Sequence, residues 1–136
     1  MALLVGVLLA VVVGVFATGV GLDRDRAFYP VVTIVVASYY ALFAVMGAST
    51  HVLALELVGG AVFVCAAVAG FRWSLWIAVL ALAGHGLFDF VHASVITDPG
   101  VPTWWPPFCL AYDVTAAAYL AWLLLSRRVA AAQPAR

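Results

Sequence analysis

Lysine is absent from this sequence of 136 residues, and charged residues of every kind make up only 9% of it. The absence of lysine excludes a retinal Schiff base and any chemistry that uses a lysine nucleophile. The formal net charge is zero, and no basic arm or patch of the kind that binds nucleic acid is present. The sequence therefore predicts no nucleic-acid partner.

Cysteine is also scarce. Cys65 lies midway along one apolar segment, and Cys109 lies at the outer end of another. Because a disulfide requires Cα atoms within about 7 Å, this difference in depth argues against a bridge between them. We interpret Cys65 as a small residue of the core.

Apolar residues dominate what is there, at 68% of the chain. A soluble domain has about 25% charged residues, so the bilayer must be the solvent for most of this chain. Five apolar segments, each near the length of about 20 residues that spans hydrocarbon, cover 2–20, 30–49, 52–70, 75–95 and 107–126. We predict an all-α integral membrane protein: one domain (1–126), a bundle of five transmembrane helices with short loops, and a polar tail (127–136).

The first segment has no basic region before it and is longer than the apolar region of a signal peptide, about 7–15 residues, so we expect it to be retained as a helix. Arginine placement gives the orientation, since cytoplasmic loops are rich in basic residues. With five spans, one side receives all the arginines: Arg24, Arg26, Arg72, Arg127, Arg128 and Arg136. We predict a multi-pass protein of the plasma membrane, as in a bacterial inner membrane, with the N-terminus outside and the C-terminus cytoplasmic.

Two stripes of small residues predict close helix packing. The first helix carries Gly6, Ala10, Gly14 and Thr18, and the second carries Ala37, Ala41, Ala44 and Ala48. The lipid bilayer is one partner of such a surface. The stripes fit either packing inside one bundle or the face of a homodimer, and the sequence leaves both open.

The loops carry three further expectations. Asp23-Arg24-Asp25-Arg26 is expected to form surface ion pairs, which contribute little stability. Asp98-Pro99-Gly100 predicts a turn. Trp104 and Trp105 are interpreted first as membrane anchors, with a lid over nearby polar residues as the alternative.

The most informative stretch is in the fourth segment, where His85, Asp89 and His92 stand at i, i+4 and i+7 in an apolar helix. This spacing places all three side chains on one face. Titratable groups inside a bilayer are costly and usually face a bundle interior or a wet cavity. The three residues are therefore the core of the candidate site.

Depth adds further candidates from the neighbouring helices. Glu56 in the third helix and Asp113 in the fifth are predicted at a depth similar to Asp89, in the outer half of the membrane. Tyr112 and His51 complete the candidate ligand or proton site. Tyr39 and Tyr40 lie near the midplane, and either of them is placed to reach His85.

Several functions fit this constellation. The first is binding or translocation of a small ligand, proton or metal ion through an outward-facing pocket. A metal site would hold a divalent transition metal with His85, Asp89, His92 and Glu56 as ligands. An intramembrane acid–base or metal-dependent enzyme acting on a lipid-like substrate is an alternative, as is a structural or accessory subunit in which these groups only bond helices. Familiar zinc and di-iron signatures, such as His-Glu-x-x-His and Glu-x-x-His, are absent, and whether the protein is an enzyme stays open.

Overall fold

Five α-helices make up the regular structure in the computed structural model, which describes residues 1–47 and 50–131. They are α1 (Ala2–Val20), α2 (Phe28–Met46), α3 (Thr50–Arg72), α4 (Leu75–Val95) and α5 (Trp105–Leu125). All five are long and apolar enough to cross a membrane. The prediction of an all-helical bundle with five candidate spans is confirmed. Ala48, Ser49 and the tail residues 132–136, including Arg136, lie outside the described residues.

Two of the helices that begin earlier than predicted have proline in their first turn. α2 begins at Phe28 and α5 at Trp105, each two residues before the predicted start. Pro30, Pro106 and Pro107 thus lie within the first turns of these helices. There a missing N–H removes no helical hydrogen bond, so proline is tolerated inside the helix rather than before it.

The helices pack as an arc in which α5 contacts α1 and α4, and α3 contacts α4 and α2. α2 also reaches α4, so α4 and α5 are the centre of the bundle. A Cβ atom at Gly6 would collide with the carbonyl oxygen of Phe108, and one at Gly14 would lie 3.0 Å from the ring of Tyr119. The small-residue stripe of α1 therefore lets α1 and α5 approach closely within one chain. The homodimer stays a prediction.

The outer surface of the bundle is formed largely by exposed aliphatic side chains of α1 and α3, such as Leu8, Val12, Val58 and Val62. Cys65 belongs to this surface, because its side chain is exposed. The interpretation of Cys65 as a core residue is therefore wrong. The position of a residue along a helix indicates its depth in the membrane but not the helix face on which it lies.

The loop between α1 and α2 is only in part the exposed charge run that the sequence predicted, because Arg24 and Asp25 are exposed but Asp23 and Arg26 are buried. Asp23 is 3% exposed and accepts a 2.7 Å hydrogen bond from the Thr18 hydroxyl, while Arg26 is 6% exposed. The Arg26 guanidinium donates to the carbonyl oxygens of Gly70 and Phe71, at the end of α3. These contacts replace the expected surface ion pairs and hold the first and third loops at the same end of the bundle.

Candidate functional site

The polar face of α4 points into the bundle, as its spacing predicted. His85 and Asp89 are each 1% exposed and His92 is 2% exposed. Their neighbours on the other faces, Leu87, Phe90 and Val91, are exposed on the apolar surface. α4 therefore presents three titratable side chains to α3 and α5.

The first group around this face, here called the His85 cluster, consists of His85, Asp89, Cys109 and Asp113. The Nδ1 atom of His85 lies 2.7 Å from Oδ2 of Asp113 and 3.5 Å from Oδ2 of Asp89. The Cys109 thiol donates to the same Asp113 oxygen at 3.7 Å. One potential ligand atom from each of the four residues lies within 4.8 Å of all the others, and all four side chains are buried.

Hydrogen-bond acceptors outnumber donors in the His85 cluster. Both carboxylate oxygens of Asp89 and Oδ1 of Asp113 are buried and have no hydrogen-bond partner among the described residues. Leaving a buried acceptor unpaired costs about 1–3 kcal/mol, and more when it is charged. The described arginines lie in loops or, like Arg72, at a helix end, at the other end of the bundle. No described arginine is therefore near enough to balance the carboxylates of the cluster.

The second group is the pair of His92 and Glu56, which joins α4 to α3. Nε2 of His92 lies 2.7 Å from Oε1 of Glu56, and both side chains are 2% exposed. One imidazole here meets one carboxyl, so donor and acceptor are matched. This pair is about two helical turns from His85 along α4.

Tyr40, rather than Tyr39, faces the site. Its ring stacks on His92, with centroids 4.0 Å apart and planes 26° apart, and lies 6.1 Å from the ring of His85. Tyr39 turns instead toward Trp105, at 4.8 Å between ring centroids. The sequence could not separate these two residues because adjacent positions on a helix differ in direction by about 100°.

Two candidates lie apart from this centre. Tyr112 lies on a different face of α5 from Asp113, where its ring centroid is 6.3 Å from that of Phe108. His51 is exposed in the first turn of α3. Of the seven residues proposed from the sequence, the structure gathers five into the two adjacent groups: His85, Asp89, Asp113, His92 and Glu56. The metal set proposed from the sequence is divided between these groups.

Cys109 is the residue that sequence reasoning missed. The sequence predicts only that Cys109 lies at the outer end of a helix, yet its side chain is 1% exposed and donates a hydrogen bond to Asp113. The available signal was its spacing, because Cys109 and Asp113 are four residues apart and therefore share a helix face, as do His85 and Asp89.

Trp105 also departs from its predicted role. It is 8% exposed and packs against Phe43 and Phe108, whereas Trp104 is 54% exposed. Membrane anchoring therefore does not describe Trp105. The predicted turn after Asp98 is confirmed, since its carboxylate accepts a 2.8 Å hydrogen bond from the amide of Gly100.

Close approach of α4 and α5 at His85 depends on glycine. A Cβ at Gly86 would lie 3.1 Å from the carbonyl oxygen of Leu110 and 3.2 Å from Cβ of Asp113. On the other side of His85, a Cβ at Gly84 would meet nothing within 4 Å. Gly86 thus sets the distance between the two helices that supply the His85 cluster.

The space beside the site is small. A cavity of about 10 Å³ touches His85, Glu56, Tyr40 and Phe63. This is about the volume that one water molecule requires. This cavity touches His85 but not Asp89, Cys109 or Asp113, which are buried.

Comparison with known proteins returned no match among family models, curated proteins or solved structures. Function must therefore be argued from the chemistry of the site.

Proposed function

We propose that the chain crosses a plasma membrane of the bacterial inner-membrane type five times, with its N-terminus outside and its C-terminus in the cytoplasm. The five apolar helices and the exposed aliphatic surface support this arrangement. Arg26 bonds the end of α3, and the amide of Leu75 donates to the carbonyl oxygen of Ala131. The arginine-bearing loops and the start of the tail thus meet at one end, which the positive-inside rule assigns to the cytoplasm.

The His85 cluster binds one divalent transition metal ion inside the bundle. The observation that carries this proposal is the set of three buried carboxylate oxygens that accept no hydrogen bond from the described residues, on Asp89 and Asp113, among four converging ligand residues. Buried charges in proteins are paired or coordinate metals. A divalent cation would balance the two carboxylates of a site that otherwise holds an excess of acceptors.

The kind of donor atom selects the kind of metal. An imidazole nitrogen and a thiol sulfur stand beside carboxylate oxygens, and nitrogen and sulfur ligands favour zinc, iron, cobalt, nickel or copper over magnesium and calcium. Ligands must be deprotonated to bind, so loading the site releases protons. For Nδ1 of His85 to bind metal, its remaining proton must reside on Nε2.

Glu56 and His92 lie on a path by which protons would reach the His85 cluster from the outer side. His92 lies on the outer side of His85 along α4 and meets Glu56 of α3. The small cavity touches both Glu56 and His85. A matched imidazole–carboxyl pair passes a proton without a net change of charge. The second function that this favours is proton binding linked to the metal site, with the pair as the step between the outside and the His85 cluster.

Metal analysis of the purified protein tests the proposal. Wild type, His85→Ala and His92→Ala would be purified in detergent without chelators, incubated with zinc, iron, cobalt, nickel or copper salts, and analysed by plasma mass spectrometry. We expect about one metal ion per chain in wild type and His92→Ala and none in His85→Ala. His51→Ala is the control, because His51 is exposed and outside the cluster.

Folding of each variant would be checked by circular dichroism and gel filtration. If His85→Ala does not fold, Cys109→Ala removes a different ligand with little change in volume and is expected to weaken metal binding. Wild-type protein that binds none of these metals, or equal loss of metal from the His85 and His92 variants, would contradict a metal centre at the His85 cluster.

A further inference from the structure

A groove runs between α2 and the α1–α5 pair, on the side of the bundle away from α3. Within the described residues α2 packs on α3 and α4 and has only sparse contact with α1 and α5. The gap forms a cavity of about 330 Å³. This volume falls in the range of roughly 300–1,000 Å³ that is typical of small-molecule sites.

The lining of the groove is divided along its length. Its α2 side runs from Phe28 to Tyr39, about 16 Å of helix, and consists mainly of valines. Val31 and Val35 are about half exposed, so the groove opens sideways through the apolar surface. A hydrocarbon chain fits this part and would reach it from within the bilayer.

The outer end of the groove is aromatic. Tyr39, Trp105, Phe108 and Tyr112 all line it. The ring of Trp105 lies 4.8 Å from that of Tyr39 and 5.4 Å from that of Phe108. Aromatic rings in this range of distances stack favourably with other planar groups.

A hydrogen-bond donor stands unused at this aromatic end. Trp105 is 8% exposed, and its indole Nε1 is buried without a hydrogen-bond partner among the described residues. A buried tryptophan N–H usually has a partner, and leaving it unpaired is costly. The nitrogen has almost no accessible surface, so the indole must turn toward the groove for an oxygen acceptor on a bound molecule to satisfy it.

Cys109 connects the groove to the His85 cluster. Its side chain lines the groove and its thiol donates to Asp113. A molecule in the groove would therefore be separated from the buried carboxylates by one thiol. From these observations we propose that the groove binds a lipid-soluble quinone: a planar ring with carbonyl oxygens among the aromatic residues, and its hydrocarbon tail along the valines of α2.

This site shares Cys109 with the metal centre, but its occupancy does not require metal. The ligand class follows from three features together: the aliphatic channel, the aromatic end and the unpaired indole N–H. An ordinary acyl chain would fill the channel but would carry no planar ring, so a ring-bearing molecule and a plain chain should differ in affinity.

Photolabelling in detergent micelles would test the proposal. A short-chain azidoquinone would be cross-linked to the purified full-length protein, and labelled peptides would be identified by mass spectrometry. We expect labels on α2 and α5. Decylubiquinone and 1-decanol share a ten-carbon chain and differ in the ring, and we expect decylubiquinone to compete at a concentration about tenfold lower, which corresponds to about 1.4 kcal/mol.

Two matched variants locate the headgroup. Trp105→Phe is expected to raise the decylubiquinone concentration needed for half-competition by about three- to tenfold, the effect of losing one hydrogen bond. Trp104→Phe is the control, because Trp104 is exposed and does not line the groove. Val35→Trp should block labelling without disturbing the core, since this position is 46% exposed.

Equal competition by decanol and decylubiquinone would overturn the proposal in favour of an ordinary lipid-chain site. Equal effects of the Trp104 and Trp105 variants would also overturn it. His85→Ala separates this proposal from the metal centre, because it should retain quinone labelling while losing metal. Absence of labelling in a protein that still binds metal would remove the groove proposal alone.

Discussion

The two histidines of α4 are about equally buried, but they differ in the number of hydrogen-bond acceptors that surround them. His92 meets one carboxyl, that of Glu56, at 2.7 Å. His85 meets Asp113 at the same distance, with Asp89 at 3.5 Å and the Cys109 thiol bonded to Asp113. The Glu56–His92 pair matches one donor with one acceptor and joins α3 to α4, whereas the His85 cluster has more acceptors than donors.

This difference separates a structural role from a binding role better than burial does. Interhelical hydrogen bonds in membranes contribute modestly to stability, and the Glu56–His92 pair makes such a bond with its donor and acceptor matched, whether or not it also passes a proton. Unpaired carboxylate oxygens are different, because a bundle gains nothing from keeping them buried. They persist where a cation or proton completes the site, and that is the basis for assigning function to the His85 cluster.

The largest effect on stability is expected from breaking the matched pair. Glu56→Ala should lower the free energy of unfolding by about 1–2 kcal/mol, because it leaves the His92 ring buried without its partner. Thermal or denaturant unfolding in detergent, followed by circular dichroism, would measure it. Glu56→Gln keeps an acceptor for Nε2 of His92 and should lose much less. An equal loss in both variants would show that the hydrogen bond is not what holds these helices.

Asp89→Asn should have a smaller effect of opposite sign. In metal-free protein we expect a gain of about 1 kcal/mol, because the substitution replaces an unpaired carboxylate with an amide that also supplies donors. The same variant should bind metal more weakly than wild type, since a charged ligand is lost. A destabilised metal-free Asp89→Asn would mean that the Asp89 carboxylate is already satisfied, and the contrast between the two groups would disappear.

The smallest effect is expected at the glycines that flank His85. Gly86→Ala should cost about 0.5 kcal/mol net, since about 1 kcal/mol of overpacking against α5 is partly offset by roughly 0.5–1 kcal/mol of helix propensity. It should also weaken metal binding by moving Asp113 away from His85. Gly84→Ala faces open space and should leave metal binding unchanged. Equal metal affinity in the two variants would show that the α4–α5 distance does not control the His85 cluster.

Much of the helical architecture was predictable, because the length of each apolar segment is a local property of the chain. The ends of α1 and α4 match the predicted segments, and the α4 face carrying His85, Asp89 and His92 is buried as its spacing required. The sequence predictions were wrong for residues whose helix face no periodic pattern specifies. Cys65 was placed inside and lies outside, and Trp105 was expected at the lipid interface and lies in the bundle.

By itself, the sequence determined that five helices form and that α4 turns one titratable face inward, because hydropathy and helical periodicity depend only on neighbouring residues. The tertiary structure decided which carboxyl each histidine meets. Asp113, which also accepts from the Cys109 thiol, pairs with His85, while Glu56 pairs with His92, and these choices depend on the rotation and separation of α3 and α5. Those quantities are set by packing across the whole bundle, including the contact at Gly86, so no local pattern encodes them.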